Sequence, residues 1–277
     1  EGGNITEGLP SRVAFKITDK GGNPLSTTVG LYGNDDVKVG ETEPVHEGMG
    51  ILEVPADWKG GYAMVSNASG KQMKFVLPAA REAGCDVSAT VNEQGDLTIK
   101  AMSNGKFVPQ TLGVSVTCRG MACYFDTLQM SASDIKVKKV PYKQLRDGIQ
   151  QVTVFSARGE VMSERLIWIE PHRAPVNFVV AQNAETYQPF SPIVLDFTLK
   201  DAQGKPLQGE FSLTVRDIEG ELGIDGTDMN TELLLCSDLK GYIHQPEYYF
   251  EAKDETHRRA LDLLLMSISR KCRGWNL

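Results

Sequence analysis

The chain has 277 residues, 41% hydrophobic and 23% charged, with 29 Lys and Arg against 36 Asp and Glu for a net charge of -7. That length accommodates two or three domains of ordinary size, and the composition is that of a folded globular protein. The acidic balance, with no stripe of clustered cations, excludes nucleic acid as the main partner. No apolar run approaches the roughly 20 residues that a membrane-spanning helix needs.

The five cysteines are Cys85, Cys118, Cys123, Cys236 and Cys272. An odd number cannot pair completely, and five is too few for a disulfide-built scaffold. A small loop disulfide between Cys118 and Cys123 in "CRGMAC" stays open. No second Cys/His pair stands at zinc-ligand spacing. The chain begins at Glu1 rather than Met, so an upstream segment is expected, either a removed secretion signal or a trimmed start.

In chain order, alternation dominates. "RVAFKIT" places Val13, Phe15 and Ile17 on one face, and "DLTIKAM" does the same with Leu97, Ile99 and Ala101. "LGVSVTC" aligns Leu112, Val114, Val116 and Cys118. "VLDFTLKD" aligns Leu195, Phe197 and Leu199, and "EFSLTVRD" aligns Phe211, Leu213 and Val215. A period of two predicts strands with one buried and one wet face, as in antiparallel sheets. Short strands between Gly, Pro, Asn and Asp turns predict β-sandwiches.

One turn is written twice. "TDKGGNPLSTTV" and "KDAQGKPLQGEF" share Asp-x-x-Gly-x-Pro-Leu, as Asp19, Gly22, Pro24, Leu25 and as Asp201, Gly204, Pro206, Leu207. Gly supplies backbone angles that other residues resist, and Pro belongs at a turn or strand start. The repeat reads either as related domains or as two hairpins that converged on common turn residues.

The Pro-bearing stretches "VLPAAREAGCD" and "IEPHRAPVNF" interrupt the alternation and read as interdomain links. They divide the chain into 1–80, 84–170 and 175–277. Each piece has the size of an immunoglobulin-like sandwich. The third has too few strands to close one. Its "NTELLLCSDLKG" predicts a short helix between Asn230 and Gly241. "DETHRRALDLLLMSISRK" predicts a longer one, capped by Asp254, with Leu261, Leu264, Leu265 and Ile268 on one face and Arg270 and Lys271 at its end. Either these helices cover the third sheet or strands arrive from elsewhere.

Chemistry is sparse. His46, His172, His244 and His257 include no HExxH pair, no Ser is framed as G-x-S-x-G, and each His is expected in a loop or at the surface. In "DIEGELGIDGTD", Asp217, Glu219, Glu221 and Asp228 take positions 1, 3, 5 and 12 of a calcium-loop register. Leu222 stands where that loop needs Gly, so a solvated acidic loop is expected, with no metal. The candidate ligand-binding residues are aromatic: Tyr248 and Tyr249 in "HQPEYYF", and Trp58 in a turn-rich segment. Rings of this kind can stack on a glycan, although packing is their commoner use.

The segments "VAFKITDKGGNPL", "GMGILEVP" and "GGYAMV" resemble a macroglobulin-type (MG) β-sandwich domain, the unit of alpha-2-macroglobulin and complement-like proteins. "GIQQVTVFSARGEVMSERLIWIEP" resembles the closing hairpin of that domain, and "YQPFSPIVLDFTLKDAQGKPLQGEFSLTVRD" resembles its opening. "SDLKGYIHQPEYYF" and "ALDLLLM" are similar to large secreted proteins of gut-type Gram-negative bacteria. In those, MG-like domains precede carboxypeptidase-regulatory-like and TonB-receptor-plug-like segments.

The resemblance implies tandem immunoglobulin-like (MG-type) antiparallel sandwiches with a short C-terminal helical element. It implies export to the periplasm or outer membrane. The thioester of protease-trapping relatives needs Cys-Gly-Glu-Gln. Here "GCDVS" follows Cys85 with Asp86 and no Glu-Gln, so covalent trapping is rejected. After Met266 the chain reads "SISRKCRGWNL", which departs from the family pattern and leaves a truncation or frame change there open. The expected function is a scaffold or binding protein, not an enzyme and without cofactor. It would hold a protein partner by edge-strand pairing, with a glycan-binding accessory module as the alternative.

Overall fold

The computed structural model describes residues 2–66, 70–171, 176–211, 213 and 229–268. It is mainly β, with antiparallel strands forming immunoglobulin-like sandwiches and a short helical element near the C-terminal end. The chain divides into two compact units, Glu1–Glu170 with Asp225–Leu277, and Pro171–Ile224.

The first sandwich of the larger unit pairs β1 (Ser11–Lys16) with β4 (Met49–Val54) in one sheet. Facing it are β2 (Val29–Gly33), β3 (Lys38–Thr42), β5 (Gly61–Ser66) and β6 (Gln72–Leu77), ordered β3-β2-β5-β6. Alternation aims Val13, Leu31, Leu52, Val54 and Val65 into one core. The second sandwich sets β11 (Ile135–Val140), β8 (Leu97–Ser103) and β7 (Cys85–Val91) in one sheet. The opposing sheet runs β10 (Met121–Met130), β9 (Gln110–Cys118), β12 (Gly148–Phe155), β13 (Val161–Ile169). Leu97, Ile99 and Ala101 meet Leu112, Val114 and Val116 in its core, all fully buried. The thiols of Cys118 and Cys123 are free, so the loop bridge left open by the sequence is not made.

The duplicated turn keeps the same Oδ1 bonds in both copies. Asp19 Oδ1 accepts from the amides of Gly21 and Asn23 at 2.8 and 2.9 Å. Asp201 Oδ1 accepts from those of Gln203 and Lys205 at 3.0 and 2.8 Å. Gly22 and Gly204 take φ of 87° and 82°, where a side chain would be strained. The structure adds two further copies. Asn92 accepts from Gln94 and Asp96, with Gly95 at φ 82°, and Ser156 accepts from Arg158 and Glu160, with Gly159 at φ 79°. These two close β7–β8 and β12–β13 within one sandwich, so the loop chemistry by itself does not mark a domain repeat. The Pro–Leu extension does separate the first pair. The flanking residues pair in the same way in all four, Thr18 with Pro24, Lys200 with Pro206, Val91 with Leu97 and Phe155 with Val161, so the separation is one of sequence.

The link between the sandwiches is pinned. The side-chain amide of Asn104 donates to the carbonyls of Glu7 and Glu82 at 2.9 and 2.6 Å and accepts from the Gly84 amide at 3.3 Å.

The helical residues settle on these two sandwiches. A turn, α1 (Met229–Thr231), runs into a π turn over Glu232–Cys236, shorter than the helix expected from "NTELLLCSDLKG". The side chain of Asn230 lies outside the described residues. A 3-10 turn covers Pro246–Phe250, and α2 (Glu255–Ile268) follows. Asp254 caps α2 by accepting from the His257 amide at 2.9 Å. Leu261, Leu264 and Leu265 are buried as the periodicity predicts, joined by Leu263 and Met266. Their partners are Ala14, Met49 and Ile51 on the outer side of β1–β4, and Ile149, Leu166 and Trp168 of β12–β13. Thus β1 and β4 are covered on both faces, which is why β4 reads as a nearly continuous apolar run. Arg270 and Lys271 lie outside the described residues.

Among its described residues the smaller unit forms a hairpin, β14 (Val176–Gln182) paired with β15 (Leu195–Asp201). Asn183 closes the connecting loop, its Oδ1 accepting from the Val194 amide at 3.0 Å and the Tyr187 hydroxyl at 2.8 Å. The expected strand around Phe211 begins outside any described strand, and Val215 lies outside the described residues.

Candidate functional site

The three sequence candidates divide by burial. Trp58 is 4% exposed inside the first core, and its indole N–H donates to the Tyr32 carbonyl at 3.4 Å. Tyr249 is also 4% exposed. Its burial pushes the phenol well above the usual tyrosine range. Tyr248 alone keeps part of its ring at the surface.

Tyr248 belongs to a seam that the sequence did not disclose. The His46 ring, on the loop between β3 and β4, stacks flat on Tyr248 at 4.0 Å and meets Tyr249 edge-on at 5.4 Å. Tyr248 also leans on His257 of α2 at 4.7 Å. His46 was expected in a loop or at the surface, and it does lie on a loop. Its Nε2, however, is sealed from solvent and has no hydrogen-bond partner among the described residues. Burial pulls its proton affinity below the ordinary histidine value, with Glu47 opposing and His257 adding to the depression. The seam glues the helical cap to the first sandwich.

A groove of about 690 Å³ opens between the first residues and the second sandwich, with Thr6, Arg81, Cys85, Arg158 and Glu160 along it. Its one thiol is a poor nucleophile, because burial, then Asp86, pushes Cys85 up to about 12. Burial also raises Cys118 and Cys236. Among the described residues no group of three or more His, Cys, Asp or Glu could hold a metal ion. The acidic run with Asp217, Glu219, Glu221 and Asp228 lies outside the described residues, as does His172.

The least satisfied surface is the β14–β15 hairpin. Residues paired across antiparallel strands share a face. The register pairs Val176 with Asp201, Phe178 with Leu199, Val180 with Phe197 and Gln182 with Leu195. That face is apolar apart from its two ends. The opposite face carries Asn177, Val179, Ala181, Asp196, Thr198 and Lys200. A soluble sheet would bury the first face. Here Phe178, Phe197 and Phe211 stack on one another at 5.2–6.2 Å and remain 45%, 42% and 55% exposed. The strand "VNFVVAQ" is exposed at every residue. Alternation at Leu195–Leu199 signalled a buried face, but no sequence pattern says whether something covers it.

No protein-family model matches the chain, and no curated protein matches it. Similar solved structures include the BSP domain of a biofilm-associated protein, 14% identical over 63% of this chain and 30% of that one, with TM-score 0.29. A tetra-tandem repeat from the extending region of a large adhesion protein is 11% identical over 71% of this chain and 64% of that one, with TM-score 0.27. Native alpha-2-macroglobulin of E. coli is 9% identical over 72% of this chain and 16% of that one, with TM-score 0.24. The chain therefore spans less than two thirds of each of these structures.

Proposed function

We propose that the chain is a non-catalytic scaffold and binding protein of MG type, without a thioester, that works at the periplasmic or outer-membrane face of a Gram-negative bacterium. Its consecutive segments are 1–80, 84–170 and 175–277, the last lending its helices to the first two. The observation that carries the binding role is the hairpin edge. Among the described residues β14 has β15 as its sole neighbour, so its outer main-chain groups are open to an added strand. The spacing role is supported by the pinned link at Asn104 and by the cap shared between the two sandwiches. Export is supported by the resemblance of Ser237–Met266 to secreted relatives. The glycan alternative rests on Tyr248, the one candidate ring with surface to offer.

Photo-crosslinking from Val179 in cells, followed by amide exchange on the reconstituted pair, tests the reading. Slower exchange confined to β14 is the expected result. A partner that leaves β14 amides unchanged, or no crosslinked partner, removes it.

A further inference from the structure

Adding a strand to an edge cannot cover a face. The edge reading leaves Val176, Phe178, Val180, Phe197 and Phe211 as bare as before, because a new strand lies beside the sheet and not over it. Two strands with one apolar face are half of a sandwich, and an isolated hairpin is marginal in water. What completes it is a second layer about 10 Å away that presents an apolar face of its own.

We infer that the covering layer is the same hairpin of a second copy of this chain, packed face to face across a two-fold axis. This inference rests on the binding role proposed above and names the partner of one surface. Three observations single out self-association. First, the centre of the face is uncharged. The charged residues of the two strands are Asp196 and Lys200 on the opposite face and Asp201 at the hairpin's end, so a two-fold contact buries no like-charge pair at its centre. Second, the aromatic trio sits centrally with Val176, Val180 and Leu199 around it, the arrangement of an apolar core with a polar rim. Third, the area is adequate. The three rings, each about half exposed, offer roughly 300 Å², and Val176, Val180 and the partly exposed Leu199 bring the face to roughly 500 Å² per copy. A pair then buries about 1,000 Å², the lower bound of a specific interface. That area fits a weak, reversible dimer and leaves the outer edge of β14 free for a different partner.

The test is sedimentation of the full chain over a concentration series, with amide exchange at both ends of that series. The expected result is a monomer–dimer equilibrium with a dissociation constant of about micromolar order, and exchange that slows with concentration in 176–182 and 195–201. Phe178→Asp should weaken the dimer by at least about tenfold. Lys200→Asp, on the opposite face, should leave it intact. Should Phe178→Asp disturb the hairpin itself, Val180→Thr replaces it, and the exchange map of the unaltered chain stands independently. A monomer throughout overturns the inference, as does a dimer protected elsewhere, equal behaviour of the Phe178 and Lys200 variants, or open-ended oligomers. If the chain is monomeric but a crosslinked partner still protects β14, the dimer fails and the binding role stands.

Discussion

At His46, folding sets a titrating ring between two phenols with its Nε2 shut away from water. The groups that face it are Glu47, which favours the cation, and His244, His257 and Lys16, which oppose it. Burial outweighs the Glu47 contribution, so the folded ring gives up its proton more readily than the unfolded one. Between the two values the unfolded chain holds more protons, so stability rises with pH there. The contribution is complete above the ordinary value of 6.5 and is lost as pH falls from there toward the folded value. Asp126 has the same sign but acts elsewhere on the scale. The Lys138 ammonium, first among its partners, lowers it from 3.8 to about 2, so its share is lost only below 3.8. Denaturant midpoints at pH 8 and pH 5 should therefore differ in the native chain and converge in His46→Phe; an unchanged difference would place the sensitive group elsewhere. Arg165 is the second residue of consequence. Its side chain is 2% exposed, donating to Asp262 of α2 and, at 2.7 Å, to the Leu166 carbonyl. Asp262→Ala should cost about 1–3 kcal/mol, because a charged donor loses its acceptor inside the fold. Adding Arg165→Met should recover part of that loss, since an apolar replacement needs no acceptor. Urea midpoints of the native chain and the two variants check the sign.

At the scale of elements, the four turns show how much of the fold local chemistry dictates. Each needs a side-chain oxygen at its first position and Gly three residues later. Gly95→Ala should cost about 1–2 kcal/mol, the penalty of a left-handed backbone for a residue with Cβ, and loosen β7–β8 selectively in amide exchange. Two copies were legible because Asp and Pro spell them alike. The others, opening on Asn92 and Ser156, passed unseen because the requirement is for an acceptor and not for one residue type. The strands were legible for a similar reason, since alternation at Leu97–Ala101 and Leu112–Cys118 reports one wet face directly. β4 was harder, because a strand covered on both sides loses its alternation. The seam was not legible at all. His46 and Tyr248 lie 202 positions apart, and only the docking of the cap brings them together. The hairpin face was half legible, since its apolar side shows in Phe197 and Leu199 but its exposure does not.

For the larger unit as a whole, α2 is the common boundary of two sandwiches. Leu263, Leu264 and Leu265 share one buried cluster with Met49 and Ile51 on one side and with Ile149 on the other. Neither sandwich can expose its outer sheet without losing the helix, so the cap couples their unfolding. Leu265 is fully buried, and its truncation to Ala should cost about 2–5 kcal/mol. If the helix transmits stability between the sandwiches, calorimetry of the native chain should show them melting together, and Leu265→Ala should split that transition in two. The same variant should leave amide exchange in β14 and β15 unchanged, because the hairpin belongs to the other compact unit. A single transition that merely shifts downward would mean that the pinned link at Asn104, and not the cap, joins the two sandwiches. Asn104→Ala would then be the change that separates them.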